Sequence, residues 1–570
     1  MTDSAPNERY DVAILGGGLA GLTLGLQLKR ARPETSIFIA EKRKGPAPEA
    51  AFKVGESTVE MSARYFSQVV GMHDHLESEQ LEKAGLRFFF PAGDNSDITQ
   101  RVEWGANALL PVKAYQLDRG RFENELAKRN EQAGNDLFDD CKVEDVDLGD
   151  EEHRVSYVRG GEPGAMTARW VVDASGWVSI LKRKLGLEKE VEHTINSCWF
   201  RLAGGVDIEG WGSDDEAWLG RMKEPGVRQL STNHLMGQGY WVWLIPLASG
   251  PISLGIVADP AFHSYEEINT LDAAIDWLKR HEPQLGEEVD RRRDQVEDFL
   301  KVEDFAYGCQ RVFSPDRWAL TGIAGAFLDP FYSPGSDFIA QGNTFITDLI
   351  VRDFAGEPIL KRALILDKAF LGRFETALRG TYTDCYKLFG NAPVMTAKLL
   401  WEFALYWATV ALPFFNDRMH DLDFAAATSQ EFERVLSVSG RMEHLFRDWH
   451  ELDQRDWRGA FIANSSFPEL WRLHTDLQAP FDREALKAKY VENAGMLEAL
   501  AVVIFSKAAE QLPNGGIDAE TTINPAAIGL KPEDWEKDGL FDGSGLSVAE
   551  ARSKVPGVEH MLLDEIAQPV

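Results

Sequence analysis

The chain of 570 residues is 44% hydrophobic and 26% charged, a composition that suits an ordinary soluble globular protein with core enough for two or three domains. Its 91 acidic residues outnumber 60 basic ones, and the net charge of −31 argues against nucleic acid and against electrostatic docking on an anionic membrane. Four scattered cysteines (Cys141, Cys198, Cys309, Cys385) with no CxxC make neither a disulfide framework nor a zinc site, so no metal is expected and a reducing cytoplasm fits.

The N-terminal MTDSAPNERYDVAIL lacks a basic-then-apolar export signal. Residues 10–15 read as a buried strand, followed by Gly16-Gly17-Gly18-Leu19-Ala20-Gly21 and a helical run over 22–29. A second strand, 36–40, ends at Glu41 and gives way to a charged, Pro-rich loop over 42–49. Helical patterns occupy 57–83 and 118–133; strand patterns occupy 86–90, 141–147, 153–158 and 170–174. The stretch 195–258 is strand-rich, with strands at 198–206, 240–246 and 252–258, and a helix follows near 265–281. Residues 317–321 return to a strand and 337–354 to a helix, after which the chain is helical and rich in tryptophan. The longest apolar run, 399–415, carries Glu402 and is shorter than the roughly 20 apolar residues a spanning helix needs, so it predicts a buried or substrate-covering helix.

Gly16, Gly18 and Gly21 stand between a strand and a helix, where glycines let a pyrophosphate approach the helix N–H groups and their positive dipole end. Glu41 closes the second strand about twenty residues on, placed for a ribose hydroxyl. This is a dinucleotide site in its required strand–glycine–helix–strand–acid setting.

Further segments give that site a family. Residues 114–126 (AYQLDRGRFENEL) resemble the QxxR segment of flavin monooxygenases and halogenases, in which Gln116 and Arg119 would approach the flavin and its phosphates. Residues 170–176 (WVVDASG, with Asp173) resemble the strand closing over the adenine end. Lys53-Val54-Gly55-Glu56-Ser57 resembles the VGE(S/A) loop, Trp241-Val242-Trp243-Leu244-Ile245-Pro246 matches WxWxIP, and residues 327–335 (FLDPFYSPG, with Asp329, Tyr332, Ser333 and Gly335) match FxxPxxSxG. Lys83-Ala84-Gly85-Leu86-Arg87-Phe88 resembles the segment carrying an essential lysine, although a lysine before glycine is in general a solvated turn residue. Over residues 8–355 the chain therefore resembles the flavin-dependent halogenases, on the phenol- and pyrrole-type side rather than the tryptophan type.

The resemblance implies an α/β fold: a Rossmann-like FAD-binding domain interleaved with a mixed β-sheet substrate domain, followed by a helical C-terminal region. The corresponding division is 1–190 and 311–360 for FAD, 191–310 for the substrate sheet and 361–570 for the helical part. It also implies that reduced FAD (FADH2), O2 and halide yield hypohalous acid through a flavin hydroperoxide. Lys83 would then present electrophilic halogen to an aromatic ring, with Trp241 and Trp243 walling flavin from substrate. No second GxGxxG follows a credible strand, so the reduced flavin is expected in trans from a separate flavin reductase. The substrate is expected to be a small electron-rich aromatic, such as a phenol or pyrrole, either free or carrier-bound.

Three departures from the pattern leave other readings open. Tyr332 stands where tryptophan halogenases carry a glutamate, and it reads as an acid–base group or as an aromatic wall. Pro334 has no N–H for a halide, which leaves Ser333, Gly335 and Ser336 around the halide position, and Asp337 would repel halide if it faced the site. Ile323 follows Gly322 where flavin hydroxylases place an aspartate, so that either Asp329 takes the role or FAD binds weakly. The competing readings are a flavin monooxygenase or dehydrogenase on the same frame, and a non-catalytic flavin-binding partner. His234 reads as substrate-facing or as a hydrogen-bonded structural histidine.

Overall fold

The computed structural model describes residues 8–49, 53–453, 455–513 and 515–563. The start of the N-terminal segment, read above for export signals, and the last acidic residues of the tail lie outside the described residues. Two sheets organise the first two-thirds of the chain. In the first, the strands run in the order Asp136–Phe138, Ile37–Ala40, Arg9–Leu15, Glu162–Asp173, His153–Arg159, Cys141–Asp147, and Trp318–Leu320 pairs with Glu162–Asp173. The inner pairs are parallel. Their apolar runs are buried on both faces, as parallel strands covered by helices require. Helix Leu19–Ala31 lies over this sheet, its residues buried from Leu19 to Leu28. Gly25 lets the neighbouring helix Arg119–Gln132 come close, since a Cβ there would meet Asn130 Oδ1 at 2.4 Å.

The second sheet has eight strands, in the order Leu300–Val302, Asn196–Leu202, Ile252–Ala258, Tyr240–Pro246, Thr232–Gly237, Leu86–Phe90, Val102–Gly105, Phe461–Ala463. It gathers residues that the sequence division kept apart. Residues 86–105, grouped above with the FAD part, form two of its strands, and Phe461–Ala463 from the helical region forms its edge. Strand Thr232–Gly237 was not expected from the sequence. Over 57–83 the expected helix breaks into a short helical segment at Glu60–Arg64, a π-turn and helix His73–Glu79, before strand Leu81–Lys83. Lys83 therefore ends a strand paired to Ala114, not a helix.

The tryptophan strand separates two cores. Trp241, Trp243 and Ile245 pack into the large core shared with the nucleotide sheet, whereas Tyr240, Val242 and Leu244 pack into a second core under helix Leu271–His281. This is the alternation of period two, with both faces buried. Trp243 lies flat over Gly255, where a Cβ would come within 2.2 Å of its ring.

A buried ion cluster pins the second sheet. Arg87 and Arg228 converge on Glu103, with Nη1 of Arg87 at 2.5 Å and Nε of Arg228 at 2.8 Å, all three side chains fully buried. Removing one partner of such a cluster leaves charge buried without compensation. Glu103→Ala is expected to destabilise the protein by about 3–5 kcal/mol, read as a fall in the urea midpoint. An unchanged midpoint would show that the arginines find other partners.

Candidate active site

The glycine loop and its surroundings form a cradle shaped for a dinucleotide. Gly16 has a φ of +127°, and a Cβ on it would lie 2.3 Å from Ala174 O; a Cβ on Gly21 would lie 2.0 Å from Gly16 O. Gly18 caps helix Leu19–Ala31, whose first N–H groups have no intrahelical partner. Glu41 packs against Gly17, accepting its N–H at 3.2 Å and that of Arg43 at 2.8 Å. Lys53 reaches the loop, its Nζ 3.7 Å from the Cβ position of Gly18. Glu123 ties Lys53 and Arg119 together at 2.5 Å each, and Arg119 also donates to Val54 O at 2.6 Å. Gly55, at φ +91°, passes beside Arg119. The Nε of Arg119, at the start of helix Arg119–Gln132, is buried without a partner. Glycines that admit no Cβ, two cations and an unpartnered donor fit an FAD pyrophosphate, with Glu41 on the ribose side.

A second network joins the VGES loop, the tryptophan strand and Lys83. Buried Glu56 binds Arg201 at 2.6 Å and Ser253 at 2.9 Å, and Ser253 accepts from Trp243 Nε1 at 3.2 Å. Burial raises the Glu56 carboxyl above its usual range, against the pull of Arg201. Gln116 donates to Thr232 Oγ1 at 2.9 Å, and Thr232 pairs with Ser57 Oγ at 2.9 Å. Lys83 Nζ closes the chain, donating to Ser57 Oγ and to Thr58 O at 2.7 Å each. It is a buried amine, not a solvated turn lysine, at 3% exposure. Burial brings its pKa down to about 7, against Glu60 and Asp337, which favour the cation.

Lys83 lines a cavity of about 1510 Å³ that runs between the Tyr332–Asp337 loop and the C-terminal helices. Tyr332, Pro334 and Asp337 form one wall; Glu402, Phe403 and Tyr406 face them from the run expected to be a buried helix, which forms helix Ala392–Leu405 and its π-helical continuation. Ser333 has a left-handed φ of +57° and its N–H is taken by Pro330 O at 2.8 Å. The free donors at this corner are therefore the amides of Gly335 and Ser336, which open the 20-residue helix Gly335–Phe354. Asp337 points its oxygens at Ser62 N (2.9 Å) and Tyr406 Oη (2.6 Å). Burial raises its pKa to about 6, opposed first by Arg373.

Two residues expected at the cofactor are occupied elsewhere. Asp173 accepts from the N–H and hydroxyl of Ser175 and from Leu181 N, so its carboxylate caps the loop after its strand. Asp329 accepts from Phe331 N at 2.9 Å and Tyr386 Oη at 2.5 Å and lies 2.9 Å from His193 Nε2; Tyr386 in turn accepts from Trp241 Nε1 at 3.0 Å. Its carboxylate orients the tryptophan wall instead of standing free for a ribityl chain. His234 stacks on Phe88 at 4.6 Å and binds Arg87 O at 3.0 Å, and burial pushes its pKa down to about 3, so it is a neutral structural histidine. Glu60, His474, Tyr406, Glu402, Lys398 and Glu443 were missed from the sequence, because all of their pairings but Lys398–Glu402 join segments far apart in the chain.

The fold and cradle define an FAD-dependent oxidoreductase, and residues 9–251 match the FAD binding domain family. Its curated relatives are flavin-dependent halogenases, to which the chain is similar at the level of a quarter of its residues. It is 27% identical over 453 residues to flavin-dependent halogenase chlA of Dictyostelium discoideum, covering 72% of each chain. It is 25% identical to a 1H-pyrrole-2-carbonyl peptidyl-carrier-protein chlorinase of Pseudomonas fluorescens, covering 57% of this chain and 72% of that one. In fold it is similar to halogenase PltM crystallised with phloroglucinol and FAD, with a TM-score of 0.61 at 18% identity, covering 89% of this chain and 97% of that one. No helix among the described residues is long and apolar enough to cross a membrane.

Proposed function

We propose that this protein is a cytoplasmic, two-component halogenase of electron-rich arenes, of the phenol- or pyrrole-type branch, fed with reduced FAD by a separate reductase. The observation that carries this reading is Lys83: a buried amine with a pKa of about 7, tied to the VGES serine and facing a large cavity. Bound reduced FAD would supply, with O2 and halide, the hypohalous acid. The remaining roles fall to the chain. Gly16, Gly18, Gly21, Lys53 and Arg119 hold the pyrophosphate, and Glu41 the ribose. The amides of Gly335 and Ser336 attract the halide at a helix N-terminus, with Asp337 turned to its own donors. Trp241 and Trp243, locked by Tyr386 and Ser253, keep substrate from the flavin. Lys83 then delivers the halogen. A relative that acts on a carrier-bound pyrrole supports carrier delivery as one route for the substrate.

The test is incubation of FAD-loaded protein with a flavin reductase, O2, bromide and a panel of phenols and pyrroles, followed by mass spectrometry. A brominated arene is expected. An oxygenated arene without bromine at saturating bromide would replace this reading with a monooxygenase, the alternative that the spent Ser333 N–H and Pro334 favour.

A further inference from the structure

The cavity wall contributed by the C-terminal region carries a polar stripe that the reading above leaves without a task. Lys398, Glu402 and Tyr406 follow one another at four-residue spacing, so they share a helix face over roughly 12 Å. Lys398 Nζ sits 2.8 Å from Glu402 Oε1 and 3.1 Å from Glu443 Oε2, on the facing helix Ser429–Leu452. Tyr332 donates to the other oxygen of Glu402 at 2.5 Å. Glu402, Glu443 and Tyr332 all line the cavity, whose walls are otherwise largely apolar.

Two buried carboxylates share the one ammonium of Lys398, and the Arg447 guanidinium acts on Glu443 from one turn along its own helix, so Glu443 has the weaker share of compensation. Glu402 is held by both Lys398 and Tyr332, so Glu443 is the member that takes up and gives back a proton. Burial raises its pKa to about 7, against Lys398 and Arg447 and together with Glu402. The other titratable groups packed around the stripe are Glu60, Asp337 and Arg373 at its Tyr406 end, His444 and Arg447 beside Glu443, and Cys385 and Tyr382, the last two neutral, as burial pushes the thiol up to about 12 and the phenol higher still.

We propose that Glu443 recognises and deprotonates a ring hydroxyl of the substrate, which is therefore a hydroxylated arene of more than one ring. The size follows from a cavity of about 1510 Å³, above the roughly 300–1,000 Å³ of sites for single drug-sized ligands. The inference rests on the halogenase reading for its second step. Glu443 takes the hydroxyl proton and leaves a phenolate. Hypohalous acid halogenates the Lys83 amine with loss of water, and the activated ring carbon then bonds to that halogen as the nitrogen–halogen bond breaks. The ring is oxidised by two electrons as the halogen is reduced. The ring proton passes to the Lys83 nitrogen and restores its amine, and Glu443 returns its proton to the halogenated phenolate.

The probes are 2-naphthol and its methyl ether, 2-methoxynaphthalene, with FAD-loaded wild type, Glu443→Gln and Glu443→Asp. Binding is followed by equilibrium dialysis, and bromination is expressed per hypobromous acid trapped by a β-diketone. Wild type is expected to bind the naphthol about 10–100-fold better than the ether, the worth of a charge-assisted hydrogen bond. In Glu443→Gln that preference disappears, bromination of naphthol per hypobromous acid falls at least tenfold, and naphthol binding loses its change near pH 7 while the Lys83 limb of transfer stays; Glu443→Asp recovers part of the first two. Equal treatment of naphthol and ether by wild type overturns the proposal, as does a Gln variant that keeps the preference. If wild type prefers naphthol yet makes no hypobromous acid, the halogenase reading fails while hydroxyl recognition by Glu443 stands. Should Glu443→Gln fail to retain FAD, the wild-type preference and the Asp variant decide.

Discussion

Lys83→Met is expected to cut halogen transfer to an arene by about 10²–10⁴-fold, the range for loss of a positioned catalytic group, measured as brominated product per O2 consumed. Methionine keeps the unbranched stem and removes a buried amine that both faces the cavity and touches the VGES serine. The pH profile gives an independent reading. With a pKa of about 7, Lys83 passes from ammonium to free amine near neutrality, and a halogen–nitrogen bond needs the amine lone pair. Wild-type transfer is expected to rise with pH through about 7, and Lys83→Arg, which cannot lose its proton, should lack that limb. A Met variant with undiminished transfer would remove Lys83 from the mechanism.

The same shift has a sign in stability. The folded pKa lies below the ordinary 10.5, so between about 7 and 10.5 the unfolded chain holds a proton that the folded chain lacks. Stability from this group rises with pH across that window, and the burial penalty is full below pH 7. Lys83→Met therefore relieves a penalty at low pH, which offsets the loss of its two hydrogen bonds, and is expected to melt no lower than wild type at pH 6. Lost transfer would then not be lost folding.

How much of this was legible in the sequence depended on whether the pairing was local. Strands 86–90, 240–246 and 252–258 run largely apolar over their length, 141–147 alternates on either side of a register shift between Val143 and Asp145, and all four were found with those bounds. Thr232–Gly237 escaped because Asn233 and His234 are buried polar residues, bonded to Arg228 O and Arg87 O, and such residues erase the period-two signal. Residues 57–83 have helical spacing, yet the strand Ala114–Gln116 captures their end and the left-handed Gly85 turns the chain into the next strand. The glycine cradle was readable because its physics lies within a few residues. Asp173 and Asp329 carried the right residue type, but their partners (Leu181, His193, Tyr386) lie on other segments. The Glu402–Lys398–Glu443 stripe has only its first pair within one helical turn, and no spacing announces a cavity.

Gly21→Val is expected to leave a protein that does not retain FAD, with apparent affinity reduced at least about 100-fold, on the order of the few kcal/mol that core overpacking costs. The position has no slack. A Cβ on Gly21 would stand 2.0 Å from Gly16 O and 3.0 Å from Ile14 Cγ2, and Gly16 is itself fixed by its φ of +127° and by Ala174 O beneath it. Relief requires the loop to lift, which carries the Gly17 and Gly18 amides away from the helix N-terminus and pulls Gly17 off Glu41. The loss should therefore fall on cofactor binding before it falls on the sheet, where the glycine loop adds only the Gly16 N–H to Ala40 O bond at the end of the Val12 to Leu15 pairing. Flavin fluorescence quenching gives the affinity, and circular dichroism at the same concentration reports the fold. Gly495→Ala supplies the contrast: nothing stands within 4 Å of its Cβ position in helix Arg483–Ala509, so it should bind FAD as wild type does and gain up to about 1 kcal/mol of stability. A Gly21→Val protein that stays yellow through desalting would mean that the dinucleotide lies elsewhere than on this loop.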